Sequence, residues 1–151
     1  MLLPSGDLEV RVWVGFGLTG EDGFILKRSA NEWSAIHLGR RSEQPSFSKS
    51  QENLAAPKSG WDRAWQKLVD AGILTLPDAE ALHCNPEVMD GTNYIVEINH
   101  DKTYRSYRYL TPWDEKPQPG VYTPCKEAKQ MLAIGKIIAD EYGLKRFDLG
   151  G

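Results

Sequence analysis

From Leu8 to Phe16 the chain alternates cleanly. Leu8, Val10, Val12, Val14 and Phe16 point one way, and Glu9, Arg11 and Trp13 point the other. A period of two predicts a half-buried strand. Phe24–Arg28 and Trp33–Leu38 read as two more strands turning at Ser29-Ala30-Asn31, so the first third of the chain is expected to be a meander. His37 falls on the third strand, on the face that carries Trp33 and Ala35; a lone strand histidine more often serves packing than ligation.

Residues 39–59 lose the alternation and become rich in Ser, Gln, Lys and Pro, with Phe47 and Leu54 as the apolar anchors. That composition predicts a long surface loop. The pattern then switches period. Trp61, Ala64, Trp65, Leu68 and Val69 recur at helical spacing up to Gly72, and Ser59-x-x-Asp62 in front of them resembles a capping box. Two tryptophans one turn apart are read as core before they are read as a ligand platform. Ile73–Leu76 is expected to be short and extended, and Pro77–Leu82 to form one helical turn.

Asp90-Gly91 marks a turn that opens a hairpin over Thr92–Leu110. Tyr94, Val96 and Ile98 share one face by period two. The Asn99–Lys102 turn leaves the register open: a loop of His100 and Asp101 sets Glu97 opposite Tyr104, and a loop one residue longer sets it opposite Arg105. A slip of one residue exchanges the faces of the returning strand. Thr111–Thr123 is a loop with three prolines. Thr123 and Pro124 then suit the N-cap and first position of a helix running to Tyr142. Ala128, Met131, Leu132, Gly135, Ile138, Ala139 and Tyr142 give that helix a wide apolar face, and Gly143 is its expected C-cap. The fold expected is α+β, an antiparallel sheet of about five strands in the order β-β-β-α-β-β-α. The long C-terminal helix packs on one sheet face.

With 151 residues the expectation is one domain, 1–151, large enough for a real core. A net charge of −3 weighs against a nucleic-acid binder, which needs a basic patch to displace counterions. No apolar run is long enough to cross a membrane. The chain is expected to be cytoplasmic, or periplasmic or secreted if a leader was removed before Met1. Cys84 and Cys125 are 41 positions apart. A disulfide between them and two unrelated free thiols are both open readings until the compartment is known.

The chemistry on offer is sparse. Gly15-Phe16-Gly17-Leu18-Thr19-Gly20 fits G-x-G-x-x-G after a strand, but Phe24-Ile25-Leu26 follows where a nucleotide site needs a helix to open. It is read as a loop between antiparallel strands. His83-Cys84 with Asp90, or with His100 as base, is the nearest approach to a nucleophile group, although neighbouring side chains point apart. Glu97, Asp101, Asp114 and Glu115 offer carboxylate pairs that any acidic chain would offer. Metal-ligand spacings such as C-x-x-C and H-E-x-x-H are missing, and no metal or cofactor is expected. The most distinctive residues are Tyr104, Arg105, Tyr107, Arg108 and Tyr109 on one strand, with Trp113 after it. These types are enriched at protein-binding hot spots, and tyrosines stack on sugars. The sequence is therefore read as a non-catalytic binding or interaction domain, in the style of an exported bacterial protein, whose partner is another protein or a carbohydrate. The alternative is a small hydrolase-like enzyme using Cys84 or a carboxylate.

Overall fold

A computed structural model describes residues 7–17, 20–43, 46–78, 92–111 and 125–149. Six strands form one antiparallel sheet: β1 (Leu8–Gly17), β2 (Gly20–Ser29), β3 (Glu32–Glu43), β4 (Ser46–Asn53), β5 (Thr92–His100) and β6 (Thr103–Thr111). Their spatial order is β4-β3-β2-β1-β5-β6. The first four strands are a meander, and the β5–β6 hairpin adds to the free side of β1. Two helices, α1 (Trp61–Asp70) and α2 (Lys126–Tyr142), and a 3-10 turn at Lys145–Phe147 complete the α+β architecture. Among the described residues no helix is long and apolar enough to cross a membrane.

The alternation of β1 does what period two requires. Val10, Val12 and Val14 are buried on the helix side with Phe24, Leu26, Tyr94, Val96 and Ile98 from the flanking strands. Ala64, Trp65 and Leu68 of α1, and Met131, Ile134 and Ile138 of α2, close that core. Each fully buried side chain of this kind contributes about 1.5–3 kcal/mol. Trp65 tilts against Trp33, and Phe24 packs on Tyr142 with ring centres 4.7 Å apart.

Four local expectations need correction. Residues 46–53, expected within the surface loop, are the edge strand β4, and β3 runs on to Glu43 to pair with it. Lys49 through Asn53 are exposed on both faces, so the strand is held by backbone hydrogen bonds and has no apolar period to announce it. The sixth strand raises the count above five for this reason. Ser59 does not cap α1. Gly60 does, with φ of 88° and no side-chain bond. The Ser59 amide instead donates to Glu141 Oε1 (3.0 Å) and its hydroxyl to Glu141 Oε2 (2.9 Å). This nearly buried carboxylate, with Lys67 Nζ 3.7 Å away, ties the start of α1 to the last turn of α2. Ile73–Leu76 is a turn, not extended: Leu76 N–H donates to the Gly72 carbonyl. Finally, α2 starts at Lys126 with Cys125 as N-cap, its Sγ accepting from the Ala128 amide. Thr123, Pro124 and residues 79–82 lie outside the described residues. The C-cap is as expected: Gly143 is left-handed, and the Leu144 amide bonds back to the Ala139 carbonyl.

Both long hairpins turn on two residues with positive φ, Ala30-Asn31 and Asp101-Lys102. Such turns match the right-handed twist of the strands. The second turn fixes the open register. Glu97 lies opposite Ser106, opposite neither Tyr104 nor Arg105.

Candidate functional site on the outer face of the sheet

The register divides the expected binding strand between two faces. Arg105, Tyr107 and Tyr109 point inward, and Tyr107 and Tyr109 are buried. Tyr104 and Arg108 point outward and are exposed. Trp113 lies outside the described residues. The five residues of β6 therefore do not make one surface. The inward set is a clamp on the segment after α1. Tyr107 hydroxyl donates to the Ile73 carbonyl (2.5 Å), Tyr109 to Pro77 (2.5 Å) and Arg105 Nη1 to Leu74 (2.9 Å), with a second Arg105 bond to Leu76. The Arg105 guanidinium also sits over the Tyr107 ring at 5.1 Å. Burial pushes the Tyr107 phenol well above its usual range. Burial, with the Glu127 and Asp78 charges, raises Tyr109 to about 12.

The outward set belongs to something larger. Cross-strand pairing places Leu38, Gly23, Trp13, Ile95 and Arg108 in one row across β3, β2, β1, β5 and β6. Ile36, Ile25, Arg11, Glu97 and Ser106 form the next row. Among the described residues both helices pack on the opposite face. Leu38, Trp13, Ile95, Ile36 and Ile25 thus form an apolar band that is no part of the helix-side core. Trp13 lies flat across Gly23, where a Cβ would meet its Cε3 at 2.7 Å. Its indole N–H donates to Glu97 Oε1 (2.7 Å), and Tyr104 hydroxyl donates to Glu97 Oε2 (2.8 Å). The bond to Glu97 raises the Tyr104 phenol above its ordinary value. One carboxylate therefore fixes two outward aromatics. Beside Trp13 a hollow of about 400 Å³ is walled by Leu38, Arg40, Lys49 and Gln51. Glu9 pairs with Arg11 (2.7 Å) and Lys27 (3.2 Å), and Glu21 lies 3.5 Å from Arg40. Arg11 and Glu97 stand next to Trp13 and Ile95 on β1 and β5, so the apolar band is interrupted by charged side chains that have partners within the sheet.

The chain matches no protein-family description and no curated protein.

The remaining candidates fare differently. Gly15-x-Gly17 and Gly20 end β1 and begin β2. Gly15 pairs with Glu21, Gly17 pairs with Gly20, and the register shifts between Gly15 and Gly17. Gly15 has φ of 119°, and a Cβ there would strike the Gly20 carbonyl. The glycines join two antiparallel strands, as expected, but Gly15, Gly17 and Gly20 belong to the paired strands, with a bulge between Gly15 and Gly17, and not to a loop. His37 Nε2 is 2.8 Å from the buried Asp22, which Arg146 also approaches at 3.4 Å. That cluster fastens the C-terminal turn to β2 and β3. His100 Nε2 is 3.1 Å from Asp101 without hydrogen-bond alignment. Both Glu97 oxygens accept hydrogen bonds, one from Trp13 and one from Tyr104. His83, Cys84, Asp90, Asp114 and Glu115 lie outside the described residues. No group of three or more metal-ligating side chains occurs among the described residues.

Trp13, outside the β6 set, carries a signal of its own in the sequence: a tryptophan stands on the polar side of an otherwise clean alternation, where burial in the same sheet's core does not explain it.

Proposed function

We propose that this protein is a non-catalytic interaction domain that buries the outer face of its sheet against another protein. The observation that supports the reading is the apolar band of Leu38, Trp13, Ile95, Ile36 and Ile25, presented on a face that no described helix covers. Trp13, Ile36, Leu38 and Ile95 are half-buried and Ile25 is buried, and apolar side chains gathered in one patch beside polar groups mark binding surfaces more often than scattered ones do. Trp13 is held rigid by Gly23 beneath it and by Glu97, so little side-chain entropy is lost when a partner covers it. The Cys84–Cys125 bridge and an exported location belong to the same proposal. No cysteine is free among the described residues, and Cys125 sits at the first turn of α2.

The test is affinity capture from extract and culture medium of the source cell. It compares the wild type with Leu38→Asp on the outer face and Lys136→Glu on the exposed side of α2, each shown to be folded. Capture by the wild type and by Lys136→Glu, lost with Leu38→Asp, is the expected result. Equal capture by all three proteins would end the proposal. A glycan panel bound through Trp13 would replace the protein partner with a carbohydrate.

A further inference from the structure

We propose that the hollow beside Trp13 takes an acidic segment of the partner protein, in extended conformation, with a carboxylate side chain two residues from a large apolar one. This inference rests on the interaction reading and names the chemistry of its partner. The hollow, about 400 Å³, has two unlike ends. At one end the six-membered ring of Trp13 lies over Gly23, and Leu38 pairs with Gly23 from β3. At the other end Arg40 and Lys49 stand directly opposite each other across β3 and β4. Like charges in that position destabilise an antiparallel pair. Glu21 answers Arg40 at 3.5 Å. Lys49 is exposed, and among the described residues it forms no ion pair. Of these three charges, the one left uncompensated is a cation on the wall of the hollow.

The spacing of the two ends suits an extended chain. Leu38 and Arg40 are two residues apart on β3, a separation of about 6.8 Å along a strand. Side chains on one face of an extended peptide recur at the same interval. One such side chain covers Trp13 and Leu38 while the next sets its carboxylate beside Lys49 and Arg40. Trp13 is already fixed by its bond to Glu97, so the apolar end is formed before the partner arrives. A basic segment would bring a third cation to the charged end. A wholly apolar one would cover the Lys49 ammonium and leave it without a partner, which costs free energy. Both are selected against, and an acidic segment is not.

The experiment titrates the whole chain with short capped peptides at low ionic strength, where exposed charges are least screened. One peptide carries a glutamate two residues from a phenylalanine; the others carry glutamine or lysine in place of that glutamate. Binding is read from the Trp13 indole N–H in nitrogen-15 correlation spectra. The wild type is expected to bind the glutamate peptide about fivefold more tightly than the glutamine peptide, and the lysine peptide most weakly. Lys49→Glu, shown by circular dichroism to be folded, should reverse that order. If no peptide moves the Trp13 signal at millimolar concentration, the acidic-segment inference is overturned. It is equally overturned if the peptides bind without regard to charge, or if Lys49→Glu keeps the wild-type order. In each of these cases the interaction reading still stands or falls on the capture of wild type against Leu38→Asp. A uronic-acid disaccharide completes the set of probes. If it moves the Trp13 signal and the glutamate peptide does not, the hollow is a site for an acidic sugar and the peptide inference falls.

Discussion

The hydroxyl of Tyr94 occupies the space that a Cβ on Gly135 would need. Tyr94 donates to the Phe147 carbonyl (2.5 Å), and that carbonyl also lies against Gly135. A strand, a helix and the C-terminal turn thus meet at one missing methyl group. Gly135→Ala should gain about 1 kcal/mol of helix propensity, yet lose more to overpacking of about 1–3 kcal/mol and a displaced buried hydrogen bond. The urea midpoint is expected to fall. A midpoint that holds or rises would show that the contact is loose.

Arg105 and Arg108 are three residues apart and do opposite things. Arg105→Met removes two charge-assisted bonds to the carbonyls of Leu74 and Leu76 and should cost about 2 kcal/mol or more. Arg108→Met, on the exposed face, should stay within about 0.5 kcal/mol. Hydrogen exchange at the Leu76 amide should quicken in the first variant and not in the second. Equal losses from both substitutions would contradict the clamp.

The alkaline limb of the stability curve has a definite sign. Tyr109 is neutral in the fold, and its phenol is raised to about 12 from an ordinary 10. Its contribution is fully present below the ordinary value and is lost as pH rises from about 10 towards 12. Unfolding midpoints measured across that window should decline less steeply in Tyr109→Phe than in wild type. Parallel curves would remove Tyr109 from the account.

A Cys84–Cys125 bridge closes a loop spanning 41 positions. In the chain-entropy model that stabilises by about 4 kcal/mol. Thiol titration of the unreduced, denatured protein should find none free, and reduction should lower the melting temperature. Two reactive thiols in protein folded under oxidising conditions would dispose of the bridge.

The sequence was readable where one face of an element is buried and the other is wet. Leu8–Val14, Tyr94–Ile98 and Ala128–Tyr142 each carry the period of their element, and each lies where that period places it. The reading failed where backbone alone holds the structure. Ser46–Asn53 has polar residues on both faces, so nothing in it distinguishes an edge strand from a loop. It also failed where tertiary contacts capture a local motif: Ser59 satisfies Glu141 across the molecule and leaves Gly60 to begin the helix. The candidate surface was half legible. Which β6 residues are exposed depended on a turn of Asp101 and Lys102, neither of them glycine, both at positive φ. Two left-handed residues of that kind are uncommon, and their choice moved Tyr107 and Tyr109 from a surface to a clamp.

The strand order places β1 between a neighbour in sequence, β2, and one that follows much later, β5. During synthesis the meander β1–β4 can pair as it emerges, because each of its contacts is local. The far side of β1 then waits, with Val10, Val12 and Val14 lacking their β5 partners, until the chain beyond His100 has been made. At about 5–20 residues per second that interval lasts seconds. The centre of the finished sheet is therefore an open edge in the nascent chain. Closure of that edge, rather than hairpin formation, should set the folding rate and the moment at which the protein is most exposed to aggregation.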